Sequence, residues 1–530
     1  MSTHGDVLHG LSRADFPACA RSRPASCAPR RAGEHARRPR IRLGKRRGAE
    51  AENSAPDATR IHSRQLSAAS HWPVAHAALP PDGGGGLGCA PAMSADEKTF
   101  PRDFTFGVAT SAYQVEGGIE NDWAEWERAG RLKEPHTRCG RAVDHWNRYE
   151  EDYGLAVDVG ASAFRVSLEW ARIEPERGRF DGAALEAYRE RLLRMKARGL
   201  RPVVTLHHFT HPTWFHRETP WHTPASVDAF RAYVRACAPL LKGLEALLIS
   251  LNEPMVVLLG GYLQGLLPPG FADGPKTMAA LENMVRAHVA AREELQAVLG
   301  RVELGISQNM LCFTPDRWWH PLDHAAVRLG AHAYNHAFHE ALVTGKLRVT
   351  MPGLASTRAE IPQARGSCEF IGVNYYSRAH LRFLPRYPFL AFQFRDRLGR
   401  GLTDIGWEDY PEGFGEILRE TKRYGLPVWV TENGIDDRGG QRRPHFLHRH
   451  LEQVLAARAQ GVDVRGYLYW SLLDNFEWLE GWGPRFGLYH VDFDTLERRP
   501  TPACAYFRAV AQGRRLIAPE ALEAQPSAAR

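Results

Sequence analysis

The sequence predicts a single (β/α)8 TIM barrel, an α/β fold, preceded by a long extension without regular patterning. Two observations favour the barrel: eight short apolar runs alternate with helix-patterned stretches, and polar residues follow the ends of those runs. The composition is that of a globular protein, with 44% apolar and 24% charged residues. Length alone does not decide the number of domains, because 530 residues could hold several average domains or one barrel with insertions.

Eight runs rich in β-branched and aromatic residues are the predicted barrel strands. They span residues 104–111, 163–170, 202–209, 246–251, 303–310, 370–377, 427–431 and 464–470. Between the second and third runs, apolar residues recur at helical spacing from Leu185 to Met195 and Gly199 supplies a stop, which predicts a helix over 184–198. Apolar strands joined by such helices form a covered parallel sheet, and eight units close into a barrel.

Residues 1–95 are predicted to be a disordered basic extension rich in Arg, Ala and Pro. Residues 1–92 hold 14 basic and 7 acidic side chains, lack sustained apolar periodicity, and end near the run Pro-Asp-Gly-Gly-Gly-Gly. An organelle-targeting leader is one interpretation. A non-structural stretch before Met93 is the other, and the acidic residues and lack of a clear amphipathic helix favour it. We assign residues 96–515 to the barrel catalytic domain and 516–530 to a C-terminal tail.

Composition argues against several classes of partner. Residues 93–530 carry 54 basic and 54 acidic side chains, so no nucleic-acid surface is indicated. Their five scattered cysteines fit the reduced thiols of a cytoplasmic protein. The longest apolar stretch, 255–267, is shorter than the ~20 residues of a membrane-spanning helix, and we see no secretory signal. His207, His208 and His211 lack helical ligand spacing, so we expect no metal site.

Two glutamates, Glu253 and Glu432, each follow an apolar run, in Leu-Ile-Ser-Leu-Asn-Glu-Pro and Val-Trp-Val-Thr-Glu-Asn-Gly. The carboxyl ends of barrel strands meet at one rim, where barrel enzymes place their chemistry. Other polar residues fall at the same predicted rim: Gln114, Arg165, Glu169, His207, His208, Asn252, Gln308, Asn309, Asn374, Tyr376, Trp470 and Glu477. Paired carboxyl groups are what cleavage of a glycosidic bond needs, one to protonate the leaving oxygen and one to meet the positive centre.

Five segments stand out, in this order: residues 100–117, Leu-Asn-Glu-Pro, Asn-Tyr-Tyr-Ser, Thr-Glu-Asn-Gly and Trp-Ser-Leu-Leu-Asp-Asn-Phe-Glu-Trp. Together they resemble glycoside hydrolase family 1, the β-glucosidase family, over about residues 97–510. The resemblance implies hydrolysis of a β-linked small-molecule or oligosaccharide glycoside, with no metal or organic cofactor. It also implies that Glu253 is the general acid/base and Glu432 the nucleophile of a retaining double displacement, with their carboxyl groups about 5 to 5.5 Å apart.

The resemblance further implies which residues support the reaction. Arg165 would hold Glu432 ionised, and Asn374 would support the site. The charge of Glu432 would raise the pKa of Glu253. The matched sugar-pocket positions are Gln114, His208, Asn252 and Glu477 for ring hydroxyls, Trp478 as a further contact, Trp470 as the platform under the sugar, and Tyr376 as a hydrogen-bond donor to the nucleophile.

The sequence indicates whether the sugar is phosphorylated, but it does not identify the glycone or the aglycone. A carboxylate at Glu477 suits neutral hydroxyls and would repel a phosphorylated sugar, so we expect unphosphorylated β-glycosides. The chain departs from the family where Phe209-Thr210 replaces the common Trp-Asp, and where Met255 replaces an aromatic residue. Glycone, aglycone and oligomeric state therefore stay open. A transglycosidase using the same residues, and a non-catalytic sugar-binding protein, are the alternative functions.

Overall fold

The computed structural model describes residues 98–351, 355–385 and 390–523. The predicted disordered extension, residues 1–95, lies outside them. The described residues form a closed barrel of eight parallel strands surrounded by helices, as predicted. The strands are β1 Thr105–Ala109, β2 Ala163–Ser167, β3 Arg201–His207, β4 Leu247–Asn252, β5 Glu303–Asn309, β6 Phe370–Tyr375, β7 Val428–Asn433 and β8 Val464–Trp470.

The register of the barrel brings its polar residues to a common level. Strand β1 pairs with both β2 and β8, which closes the sheet. Asn374 on β6 is opposite Asn309 on β5 and opposite Glu432 on β7. Neighbouring parallel strands lie about 4.8 Å apart, so this register places side chains from three strands within reach of one another.

Each predicted run overlaps one barrel strand, but several of the predicted ends were wrong. Trp170, predicted to end the second strand, instead begins the helix Trp170–Ile173. Glu169 is the N-cap of this helix, and its Oε1 accepts a hydrogen bond from the backbone N–H of Ala171 at 3.4 Å. Asn252 and Glu432, predicted to follow their strands, lie within β4 and β7.

The predicted helix between β2 and β3 is present as Gly182–Ala197. Asp181 caps it by accepting hydrogen bonds from two backbone N–H groups, at 2.8 and 3.1 Å. The helix buries Ala184, Tyr188, Leu192 and Met195. Tyr188, Leu192 and Met195 belong to the predicted apolar face, so periodicity alone identified this contact.

Further helices occupy the connections between strands. The α-helices are Ala112–Val115, Asp122–Arg128, His145–Asp158, Thr213–Glu218, Ala225–Cys237, Pro254–Val256, Gly274–Leu299, Pro321–Ala331, Ala337–Thr344, Pro411–Thr421, Arg443–Ala459, Pro502–Gly513 and Glu520–Glu523. Short 3-10 helices are Ala238–Leu241, Pro362–Ala364, Lys422–Tyr424 and Trp478–Glu480, and π-helices are Val257–Leu263 and His332–His336. In the described parts of the chain, no helix combines the length and apolarity needed to cross a bilayer.

Seven short strands outside the barrel were not predicted: Cys312–Pro315, Lys346–Met351, Ala355–Glu360, Arg378–Phe383, Leu390–Gln393, Tyr489–Val491 and Arg498–Pro500. They form three small sheets that are separate from the barrel. Lys346–Met351 and Ala355–Glu360, for example, form an antiparallel pair. Their mixed polar and apolar residues resemble loop sequence, which is why pattern alone missed them.

The five cysteines in the described segments are free and buried.

Candidate active site

A cavity of about 280 Å³ lies at the carboxyl ends of the barrel strands, and we call it the rim cavity. Eight of the predicted site residues line it: His208, Asn252, Glu253, Tyr376, Glu432, Trp470, Glu477 and Trp478. Two more predicted residues, Arg165 and Asn374, are fully buried and hydrogen-bonded to this group. The rim cavity therefore brings together residues as far apart in the sequence as His208 and Trp478.

Glu432 is partnered on both carboxylate oxygens. Its Oε1 forms a buried ion pair with the Nη1 of Arg165. Its Oε2 accepts a hydrogen bond from the hydroxyl of Tyr376 at 2.5 Å. An ion pair and a short hydrogen bond to a charged acceptor both favour the ionised carboxylate and fix its orientation. Both contacts fix the orientation of the Glu432 carboxylate, which lines the rim cavity.

The guanidinium of Arg165 is fixed by three further acceptors. Its Nε donates to Thr205 Oγ1 at 3.0 Å, its Nη1 to the Thr431 carbonyl at 3.2 Å, and its Nη2 to Asn252 Oδ1 at 2.6 Å. These acceptors belong to β3, β7 and β4. A planar guanidinium that spans several strands in this way is a rigid source of positive charge.

Glu253 has a different environment. Its carboxyl is buried beside the negative Glu432, and these two effects raise its pKa to about 8. The side-chain amide of Asn374 donates to its Oε1 at 2.7 Å and that of Asn309 at 3.4 Å, which partly opposes the rise. At neutral pH Glu253 therefore carries a proton. Two carboxyl groups in one cavity, one protonated and one ionised, can act as acid and nucleophile.

Asn252 connects both halves of this network. Its Oδ1 accepts from Arg165 and, at 3.2 Å, from Asn374. Its Nδ2 lies 3.1 Å from the Nε2 of His208. Burial, and the positive charge of Arg165, lower the pKa of His208 well below its usual value. His208 is therefore a neutral imidazole, and its buried Nδ1 has no partner among the described residues, so that nitrogen can bind a ligand hydroxyl.

Aromatic rings form part of the lining of the rim cavity. The ring of His208 is nearly parallel to those of Trp470 and Trp478, with centroids 6.0 and 6.1 Å away. Phe209 packs edge-on against Trp478 at 4.9 Å and also lines the cavity. Aromatic faces suit the C–H face of a pyranose ring. Phe209 thus keeps an aromatic wall at the position where the sequence departs from the family.

Glu477 is a third carboxyl group in the rim cavity. The indole N–H of Trp470 donates to its Oε1 at 3.4 Å. Burial raises the pKa of Glu477 well above its usual value. Ligand hydroxyls that donate to Glu477 would favour its ionised form, so binding and ionisation are linked at this residue.

Gln114 does not line the rim cavity. It is fully buried, and its amide donates to Asn475 Oδ1 at 2.9 Å and to the Phe476 carbonyl at 2.7 Å. Its Oε1 accepts from the Ser111 hydroxyl at 2.6 Å. Both N–H bonds of the amide and one lone pair of its oxygen are thus engaged within the protein, and one lone pair of Oε1 is left. Gln114 here orients the segment that carries Glu477.

Three residues that line the cavity have left-handed backbone conformations: Phe209 (φ 71°), Glu253 (φ 46°) and Trp478 (φ 50°). None is glycine, and such conformations cost roughly 1–3 kcal/mol each. Glu253 is followed by Pro254, which begins a helix, and its backbone N–H donates to the Ser307 carbonyl at 2.7 Å. Three of the eight non-glycine residues with positive φ among the described residues therefore line the rim cavity.

Sequence reasoning missed part of the lining. The unpredicted residues are Val256, Leu311, Tyr334, Ser377, Phe394, Trp407 and Phe486, and Asn309 was noted only as a polar residue at the rim. Most are apolar or aromatic residues of the loops that follow the strands.

Within the described ranges, no cluster of three or more His, Cys, Asp or Glu side chains has the arrangement to hold a metal ion.

Comparisons with known proteins agree with this geometry. The sequence model of Glycosyl hydrolase family 1 matches residues 96–515. Beta-glucosidase A of Thermotoga maritima is 32% identical over 431 residues, covering 76% of this chain and 95% of the relative. A beta-galactosidase of Pyrococcus woesei is 29% identical over 488 residues, covering 76% and 94%.

Solved structures match as well. A beta-glycosidase from Pyrococcus horikoshii superposes with a TM-score of 0.74 at 34% identity, covering 81% of this chain and 99% of that chain. The Thermotoga maritima beta-glucosidase in complex with glucoimidazole gives 0.73 at 30% identity, covering 79% and 100%. The sequence, the barrel and the pair of carboxyl groups lead to the same assignment. The chain belongs to glycosyl hydrolase family 1 and is a glycoside hydrolase.

Proposed function

We propose that this protein is a retaining β-glucosidase that removes terminal β-linked sugars by double displacement through a covalent glycosyl-enzyme. The observation that carries the proposal is the unequal pair in the rim cavity, in which Glu432 is ion-paired with Arg165 while the pKa of Glu253 is raised to about 8. Retention requires an ionised nucleophile and a protonated acid on the same substrate. The names of the relatives, beta-glucosidase and beta-galactosidase, support the reaction class.

In the first step, Glu432 attacks the anomeric carbon while Glu253 gives its proton to the departing oxygen. The C–O bond to the aglycone breaks as the ester to Glu432 forms. Tyr376, which donates to Glu432 Oε2, holds the carboxylate in line. The aglycone leaves as a neutral alcohol.

In the second step, a water molecule attacks the anomeric carbon and Glu253 accepts its proton. Esterification of Glu432 removes the negative charge that helped to raise the pKa of Glu253, so Glu253 is then a more stable carboxylate and can act as a base. Arg165, still held by Asn252 and Thr205, then stabilises the returning charge on Glu432. Two inversions give net retention.

We infer that the glycone is an unphosphorylated hexose. Trp470 supports its ring from below, and His208, Asn252 and Glu477 bind its hydroxyls. Glu477 supports this specificity, because neutral hydroxyls that donate to it favour its ionised form, and that form repels a phosphate. The amide of Gln114 donates to Asn475 and Phe476, which leaves one lone pair of its Oε1 to accept from a sugar hydroxyl.

A panel of 4-nitrophenyl β-glycosides tests the proposal. We expect the specificity constant to be highest for the glucoside, and NMR of the first-formed sugar to show the β-anomer. An α-anomer as first product would contradict retention. The matched 6-phospho-β-glucoside should be a poor substrate, and a preference for it would remove the role given to Glu477.

Two alternatives use the same residues. A transglycosidase would pass the sugar to an acceptor alcohol in the second step, which product analysis with added alcohol detects. A non-catalytic sugar-binding protein would bind glucosides without turnover. A cytoplasmic location stays a prediction, and fractionation of the native host would test it.

A further inference from the structure

A second cavity, of about 290 Å³, lies beside the rim cavity, and we call it the apolar cavity. It is lined almost entirely by carbon. Its walls come from the helix Gly274–Leu299, the π-helix Val257–Leu263 and the helix Pro321–Ala331, including Met278, Leu281 and Leu329. Its volume is near the lower end of the range for small-molecule pockets.

The two cavities share a wall. Tyr334 lines both: its hydroxyl donates to Asn309 Oδ1 at 3.1 Å on the catalytic side, and its ring packs edge-on against Phe313, at 5.8 Å, on the apolar side. The helix Pro254–Val256, which begins directly after Glu253, presents Val256 to the rim cavity and Met255 to the apolar cavity. The acid/base residue is thus two positions away from the apolar lining.

Two further segments also contribute one residue to the lining of each cavity. Leu311 lines the rim cavity and Phe313 the apolar cavity, while Phe394 lines the rim cavity and Phe392 the apolar cavity. Apolar side chains therefore line both cavities along the strip of chain that separates them.

The apolar cavity also reaches the protein surface. Leu322 and Leu329 line it and are 47% and 40% exposed. Exposed apolar residues that border an apolar cavity form a surface that a ligand or a partner can cover. The position of Met255, where the family often has an aromatic residue, leaves a flexible side chain in this wall.

We propose that the apolar cavity binds the hydrocarbon chain of an amphiphilic β-glycoside, so that the physiological substrates are alkyl- or acyl-bearing glycosides. This inference rests on the proposed function, since it names the aglycone of that reaction. The sugar occupies the rim cavity, the scissile oxygen lies at Glu253, and the chain passes Tyr334 into the apolar cavity.

The proposal predicts a dependence on chain length. Each methylene transferred from water to an apolar site improves binding about three- to fourfold. For alkyl β-glucosides from methyl to dodecyl, tested below their critical micelle concentrations, kcat/KM should rise over several methylenes and then level off. We expect at least a tenfold advantage of octyl over methyl glucoside. A flat series would overturn the proposal.

Variants on the helix Pro321–Ala331 locate the effect. Ala325 lines the apolar cavity and is half-buried, so Ala325→Trp should fill it. We expect this variant to lower the octyl-to-methyl ratio at least fivefold while methyl glucoside stays within twofold of the wild type. Arg328→Trp, the same bulky residue at an exposed position outside the lining, is the matched control. If Ala325→Trp does not fold, Leu329→Asp places a charge at the mouth and should act in the same direction.

A binding measurement separates this proposal from the proposed function. Calorimetry with octyl and methyl 1-thio-β-glucosides, which resist hydrolysis, should show tighter binding of the octyl compound and loss of that difference in Ala325→Trp. Equal affinities would overturn the proposal even if hydrolysis is normal. Absence of hydrolysis with the chain-length effect on binding intact would contradict only the proposed function. A second copy of the chain over this face would appear as a dimer dissociated by Leu329→Asp, and would also overturn the proposal.

Discussion

Replacing Glu253 with Gln should stabilise the folded protein at neutral and alkaline pH while it removes general acid catalysis. Burial and the nearby charge of Glu432 raise the pKa of Glu253 from 4.5 to about 8. Between these values the folded state holds a proton that the unfolded state has released. Stability from protonated Glu253 is therefore fully present below about pH 4.5 and is lost as the pH rises towards 8.

The size of the effect follows from the two pKa values. The gap between 4.5 and 8 corresponds to about 5 kcal/mol, of which about 3 kcal/mol is already lost at pH 7. Glu253 is only 6% exposed, so solvent screens little of this. Gln has nearly the same shape, cannot ionise, and keeps a carbonyl oxygen for the Asn374 amide. Glu253→Gln should therefore keep the stability that the wild type loses as the pH rises from 4.5 to 7.

The assay is urea unfolding of wild type and Glu253→Gln at pH 4.5, 6, 7 and 8. We expect their free energies of unfolding to diverge with pH, with the variant ahead by about 3 kcal/mol at pH 7 relative to pH 4.5. Glu186→Gln, which changes an exposed carboxylate on the helix Gly182–Ala197, controls for a change in net charge and should show no such divergence. A constant difference between wild type and Glu253→Gln across this range would refute the assignment of Glu253 as a buried, protonated acid.

Three other outcomes are expected. Glu432→Gln should abolish turnover with an unchanged circular dichroism spectrum, and azide added to Glu432→Gly should give a glycosyl azide of inverted configuration; full activity in Glu432→Gln would remove its assigned role. The kcat/KM of the wild type should fall as the pH rises through about 8, because Glu253 loses its proton, and a profile flat to pH 9 would contradict this. Deletion of residues 1–92 should leave activity and Tm nearly unchanged, whereas a large loss of either would show that this segment contributes to the fold.

The sequence predicted the barrel because its signals are local and repeated. Each strand is a short apolar run, as in 464–470, which coincides with β8. The helix Gly182–Ala197 follows from apolar spacing and a glycine stop. The candidate catalytic pair could be named because strand ends in a barrel converge. The strands of the loop insertions and residues such as Trp407 and Phe486 could not, because their positions depend on contacts between loops.

The sugar-binding role of Gln114 stays a prediction, because it depends on contacts that the sequence does not show. Its match to a sugar ligand rests on its place in a motif, but the direction of an amide depends on its neighbours in space. Here Ser111 and the segment Asn475–Phe476 engage both of its ends. The partners at 475 and 476 lie more than 360 positions away. No local pattern could have indicated them.

Glu253 combines a left-handed backbone conformation with a buried carboxyl group. Local propensity would favour glycine or asparagine at φ 46°, because a glutamate there is strained by roughly 1–3 kcal/mol. The strain persists because the hydrogen bond to Ser307 and the helix beginning at Pro254 hold the backbone, and it directs the carboxyl towards Glu432 and Asn374. The same residue is therefore unfavourable to the fold in two ways, by its backbone conformation and by its buried ionisable group. Both follow from placing an acid where the reaction needs it, so activity and stability must oppose each other at Glu253.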